Sequence, residues 1–547
     1  MAEEDASKVW IPAIVDCIAR FLPTNEVACS LRVVDKATAA MLRSPEFMTV
    51  RLSEPVPHHA FAWRWGRPGA MRDMTLARRR ELLCLTAASG AADNLALAAR
   101  ASSCPLTKEV AYAAGRAGQL GTCLALEELG CGLGGAVEGA AAGGHMALCE
   151  HLANKGRIYP IDCAIAAAKE GHADTLQWAL WWDKEPERGY YDSAQIAEGI
   201  AEGCELETLK RWLPSLIVMD TDEASCREVA DESHQRMVLA AAAGSPTPDW
   251  QAKVEWLESH AFSPTCQAFA AAAKLPDALE RFAWLAQRGY PIHPEHEDAV
   301  EPLAETAGSG NTAAVLFLAE RGQRGDHDEG IGLASAWAAT QGHLHVLQAL
   351  HAAGWRLDAQ VVSRCAASGG HLHVVAWLVE TPDLGVALDG ELFCCAAQSG
   401  SVELLAWLRE RGCPWDSRAV TAAARSGCVA ALEWLAERGC PMPEDGSPFK
   451  EAARAVDMLT LECLRQLGCP WGPCGRVFSA FIPSGGHRTE SYILELPKGA
   501  EPGKSAPPTN LTWPMSLGGS ANVYRDHRAT ATLTGVGRRA SEALLAR

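Results

Sequence analysis

The chain has 547 residues, enough for three or four ordinary domains or one long array, and its 48% hydrophobic content is that of a folded protein. A formal net charge of −18 argues against general binding to a phosphate backbone, so no nucleic-acid partner is expected. No run approaches the ~18 apolar residues of a membrane span, and the acidic opening MAEEDASKVW does not read as a secretory leader.

The 20 cysteines are scattered, with no Cys-x-x-Cys among them. That spacing suits neither a disulfide framework nor zinc, and reduced thiols in a cytoplasmic or nuclear protein are expected.

In chain order, the first pattern spans residues 10–50. Ile11, Ile14, Val15, Ile18 and Leu22 make one helical stripe, Pro23 and Asn25 break it, and Val27, Leu31, Val34 and Leu42 make a second. Helix, tight turn, helix is the plain reading. The Ile-Pro start, the apolar helix ending at Phe21-Leu22, the Pro-x-Asn-Glu turn and Leu31-Arg32-Val33-Val34 also resemble an F-box. Asp35, Lys36 and Ala37 stand where that family usually carries Cys or Asn, Lys and then Trp. The resemblance implies that Ile11, Pro12, Ile14, Ile18, Leu22, Leu31 and Val34 dock a Skp-type adaptor, and through it a cullin.

Residues 51–85 read as a connector in which Arg64, Arg67, Arg72, Arg78, Arg79 and Arg80 stand beside Phe61, Trp63 and Trp65. Such interleaving can bind single strands. In so acidic a chain, aromatics packing the helical hairpin onto the first repeat is the better reading, with the arginine stems covering the surface around them.

From 86 to 471 one sentence repeats. Its best copy is GSVELLAWLRERGCPWD at 400–416: an apolar helical stripe, a glycine stop, and a proline that forbids continuation. Anchoring each unit on the equivalent of Gly400 gives Gly90, Gly118, Gly144, Gly171, Glu205, Asp249, Asp277, Gly310, Gly342, Gly370, Gly427 and Val456 as well, so 13 candidate units at intervals of 26 to 44 residues. An alanine pair precedes most anchors, Trp recurs seven residues after (Trp178, Trp212, Trp256, Trp284, Trp377, Trp407, Trp434), and a second glycine twelve after (Gly130, Gly156, Gly289, Gly322, Gly354, Gly412, Gly439, Gly468). A single helix pair cannot bury its apolar faces alone, so a stacked, all-α-dominated solenoid is expected. The alanine pairs, the Gly-His-Leu turns at 342–344 and 370–372 and the later glycine resemble ankyrin repeats. The usual Thr-Pro-Leu-His opening is absent, and a Gly-Cys-Pro-Trp loop replaces the longer finger of that family. HEAT and tetratricopeptide arrays, which repeat at ~40–47 and ~34 residues, fit the spacing less well. The units anchored at Glu205, Asp249 and Asp277 are degenerate, with an insertion expected in 220–250.

No catalytic constellation, phosphate loop or metal motif stands out. His343-Leu344-His345 and His371-Leu372-His373 repeat at the array's own period, which points to hydrogen bonding with loop backbone and not to metal. Cys413, Cys440 and Cys469 read as small apolar filler. Trp355, Trp415 and Trp471, in unit-ending loops, either pack or contact a partner. A metal-dependent hydrolase, for instance a lipid phosphodiesterase, would need ligands from outside the repeat register. The expectation is a non-enzymatic recognition protein without cofactor: an adaptor carrying an ankyrin-type array, or a scaffold with no ubiquitin link. Residues 472–547, rich in Gly, Ser, Pro and Thr, read as a disordered tail, and Arg538-Arg539-Ala540-Ser541 resembles a basophilic kinase site.

Overall fold

The computed structural model describes residues 11–155, 159–182, 190–216, 228–293, 302–321 and 328–472. The tail, its kinase-like tetrapeptide, Gly156 and Gly322 lie outside them. Every regular element among the described residues is helical.

The amino-terminal hairpin comprises α1 (Pro12–Phe21), α2 (Thr24–Cys29) and α3 (Lys36–Met41). Pro12 suits a first helical turn, where its missing N–H is no loss, and Asp35 caps α3 by accepting from Thr38 N at 2.7 Å. Val15, Ala19, Val27, Leu31 and Leu42 form a small core of their own, separate from the core of the array. Asn25, fully buried, ties the hairpin to the following strap: its amide donates to Arg51 O, Glu54 O and Pro55 O and accepts from Arg51 N.

Two helices occupy the expected connector. α4 (His58–Trp65) packs on the array through buried Phe61 and half-buried Trp65, and His58 Nδ1 lies 2.8 Å from Asn94 Oδ1. Trp63 stays exposed beneath the stacked Arg67 guanidinium. α5 (Leu76–Ala88) begins ten residues before the expected edge of the array, because Thr75 caps it by accepting from Arg78 N, and it forms a pair with α6 (Ala92–Ser102).

From α5 onward, helices alternate between two layers, and each packs on its counterparts in the units before and after. In one layer the alanine pairs are buried throughout, from Ala140-Ala141 to Ala423-Ala424. The closest approach is between Lys108–Arg116 and Gly134–Ala142, where a Cβ on Gly115 or Gly139 would collide with a carbonyl oxygen of the facing helix. The other layer carries the tryptophans, most of them half-buried at the seams between units. Gly400 shows how the layers are joined. At φ 72° its N–H donates to Ala397 O, ending one helix, and Ser401 Oγ accepts from Leu404 N to begin the next. The other anchor glycines share that positive φ. The expected insertion is in part a long helix, Glu228–Ala243.

The first unit meets the last ones. Ala430 N donates to Arg72 O and Met458 N donates to Ser103 O, joining residues more than 350 positions apart in sequence. No helix among the described residues is long and apolar enough to cross a membrane.

Candidate partner-binding surface

The hairpin satisfies its own core and still leaves apolar side chains outside it. Phe21 is 84% exposed, Val33 69% and Val34 59%; Ile11, Ile14, Met41 and Met48 are exposed too. Isolated exposed apolar residues are ordinary, but this number on a segment of about forty residues is not. The structure sorts the seven expected docking residues into two groups. Ile11, Pro12, Ile14 and Val34 are exposed and available to a partner. Leu31 is buried within the hairpin, and Ile18 and Leu22 are half-buried against the same core, so these three hold the hairpin together. Phe21 and Val33, part of that sequence pattern but not among the expected docking residues, are the most exposed apolar residues of the hairpin. Their signal was their offset from the core stripe of α1 and of Leu31–Val33, a short 3₁₀ turn.

The loop tryptophans are turned toward the array. Trp415 meets Phe393 edge-on at 5.5 Å and Trp434 at 6.2 Å, and Arg409 stacks 4.2 Å above it. Trp471 packs on Phe449 at 4.3 Å, and Trp355 is half-buried against the core. All three rings pack against the core of the array.

The histidines do the backbone work expected of them. His343 Nε2 donates to Gly308 O at 3.0 Å, His371 to Thr340 O at 2.9 Å and His145 to Arg116 O at 3.1 Å. Each satisfies a carbonyl at the end of the preceding unit's helix. The second histidine of each pair repeats the bond one turn further on, His345 to Gly310 O and His373 to Gly342 O. Because a carbonyl only accepts, these bonds set the Nε2–H tautomer.

Two of the degenerate units, anchored at Asp249 and Asp277, lack this histidine and use a buried cation for the same purpose. Lys253, fully buried, donates to Ala201 O, Cys204 O and Ser245 Oγ at 2.6–2.8 Å, and burial lowers its pKa to about 8. Arg281 donates to Ala243 O and Ser245 O, pairs with Asp277 and stacks on Trp250.

The loop thiols sit where a catalytic or redox thiol would not. Cys413, Cys440 and Cys469 are buried, and desolvation pushes them up to about 11, 11 and 12. Among the described residues no three His, Cys, Asp or Glu side chains converge as metal ligands.

Three connector arginines, Arg72, Arg79 and Arg80, reach the last units of the array. Arg79, fully buried, forms a bidentate pair with buried Asp457 at 2.6 and 3.0 Å and also donates to Ser102 O and Gly427 O. Arg80 donates to Ala455 O at 3.1 Å, and Arg72 pairs with Glu433. Arg64 stacks on Trp65.

No protein-family model matches this chain, and no curated protein sequence matches it at a significant level.

Proposed function

We propose that this protein is a non-catalytic recognition protein: a divergent ankyrin-type array of 13 units with an F-box-like hairpin, coupling a protein held by the array to a Skp-type adaptor and cullin. The observation that carries the reading is the hairpin's division of labour. A complete private core supports Ile11, Ile14, Phe21, Val33 and Val34 as an apolar face with no intramolecular cover among the described residues. A segment whose only task was to cap the array would turn those residues inward. The histidine bonds at the turns, the paired alanines and the glycine periodicity support the ankyrin-type assignment.

The test is affinity purification of the full chain from cell extract, with Ile14→Asp and Val34→Asp as variants. Both positions are exposed, so the hairpin core survives the change. Recovery of a Skp-type protein and a cullin with the native chain, and their loss with either variant, is the expected result. Recovery of neither partner with the native chain would favour the plain scaffold.

A further inference from the structure

We propose that the two ends of the array form a clasp that opens while each unit stays folded, giving the array a closed and an open state. Three features mark the junction.

The first is its chemistry. Other seams rest on alanine pairs and leucines in one continuous apolar core, to which single side chains such as Lys253, Arg281 or a turn histidine add bonds to helix-end carbonyls. The junction is polar: Arg79 with Asp457, Gly427 O and Ser102 O; Arg80 with Ala455 O; Arg72 with Glu433; and the backbone pairs Ala430 N to Arg72 O and Met458 N to Ser103 O. Leu76, buried against Gly427, lies outside the continuous core. The two amides belong to the first turns of the helices Val429–Glu437 and Met458–Gln466, where no intrahelical acceptor exists. Water can take over each of these bonds on opening, whereas it cannot replace an apolar seam.

The second is strain. Among the described residues three non-glycine residues have positive φ, and two of them stand in the junction: Ser103 at 49° and Val456 at 53°. A β-branched residue is disfavoured there, and nine other units place glycine at the position of Val456. Residues held in such regions cluster at active sites, ligand clamps and switch regions.

The third is an unmet donor. Arg79 Nε is buried and has no acceptor among the described residues, while the same guanidinium makes four other bonds. Opening would hydrate it. The closed state is therefore held by a strong, desolvated ion pair and opposed by backbone strain and the orphaned Nε donors of Arg79 and Arg80, the balance of a latch.

Residue-resolved hydrogen exchange on the full chain tests this. The amides of Ala430 and Met458 report the clasp; those of Val375 and Leu405, bonded to His371 O and Ser401 O within their own units, report the units. In the native chain the clasp amides are expected to exchange at least tenfold faster than the unit amides. Arg79→Met and Asp457→Asn should accelerate the clasp amides a further tenfold or more and leave the unit amides unchanged. Asn at 457 can still cap Thr460 N, so the helix start is preserved. Val456→Gly should slow the clasp amides. Acceleration of clasp and unit amides together would overturn the proposal, since the junction would then be part of one indivisible fold. Unchanged clasp amides in both Arg79→Met and Asp457→Asn would also overturn it, since the ends would be held by something else.

Discussion

Val456 is the residue whose backbone contradicts its side chain. It takes the place of the anchor glycine at φ 53°, where an L-residue pays ~1–2 kcal/mol and a β-branched one more. Glycine loses more entropy on folding, ~0.5–1 kcal/mol, so Val456→Gly should raise unfolding stability by about 0.5–1 kcal/mol net. Urea titration of the two proteins measures it, and a loss of stability would mean that the half-buried side chain matters more than the strain. His371 makes a second case, through protonation. Desolvation holds its pKa below the ordinary ~6.5, and the bond to Thr340 O opposes that only in part. The unfolded chain therefore binds the proton more tightly than the native one. The contribution of the neutral ring is fully present above pH ~6.5 and is lost as the pH falls below it toward the lower native value. Replacing the histidine by glutamine should flatten that dependence: between pH 7.5 and 5.5 the native protein should lose more stability than His371→Gln, and equal slopes would show that the ring does not titrate on folding.

Helix pairs, their glycine stops and the burial of paired alanines were legible in the sequence because each is a local rule, repeated at a period that a reader can align. The same logic led astray wherever the rule was satisfied by a different residue. The units anchored at Glu205, Asp249 and Asp277 look degenerate because they lack glycine at the anchor and histidine after it, yet Lys253 and Arg281, four residues after two of those anchors, reach back to the same kind of helix-end carbonyls. A lone Lys or Arg on an apolar stripe was the available signal. Removing Lys253 as Lys253→Met keeps the stem volume and orphans Ala201 O and Cys204 O, which should cost about 1–3 kcal/mol per acceptor left unbonded. The loss should appear first as faster exchange in the helices Tyr190–Gly203 and Glu228–Ala243; an unaltered melting transition would show that water replaces the ammonium freely. On the hairpin, the stripe of α1 was legible but not its sidedness: Leu31 reads like Val34 in sequence, and only packing shows that one is core and the other surface.

At the scale of the molecule, the junction of first and last units was the least legible feature, because Arg79 and Asp457 are separated by 378 positions and no local period connects them. Two hints were present. An arginine-rich segment opens an acidic chain, and Asp457 stands immediately after its anchor, where His145, His343 and His371 stand in other units. Closure changes how damage should spread. In a linear array each unit leans only on its neighbours, so the effect of a core deletion fades along the chain. Here the first unit and the last are neighbours as well. Leu83, fully buried in α5, is therefore the informative site. Leu83→Ala should cost about 2–5 kcal/mol locally, and the amides of Leu432 and Leu461, bonded to Cys428 O and Asp457 O, should exchange faster. The amide of Val315, bonded to Asn311 O in the middle of the array, should keep its native rate. A response that reached Val315 before Leu461 would mean that the energetic order of the units follows the chain and not the closed contact. The opposite order places the hairpin, which is strapped to α6 through Asn25 and α4, within the energetic reach of the last units, so a protein bound at either end of the chain changes the stability of the same junction.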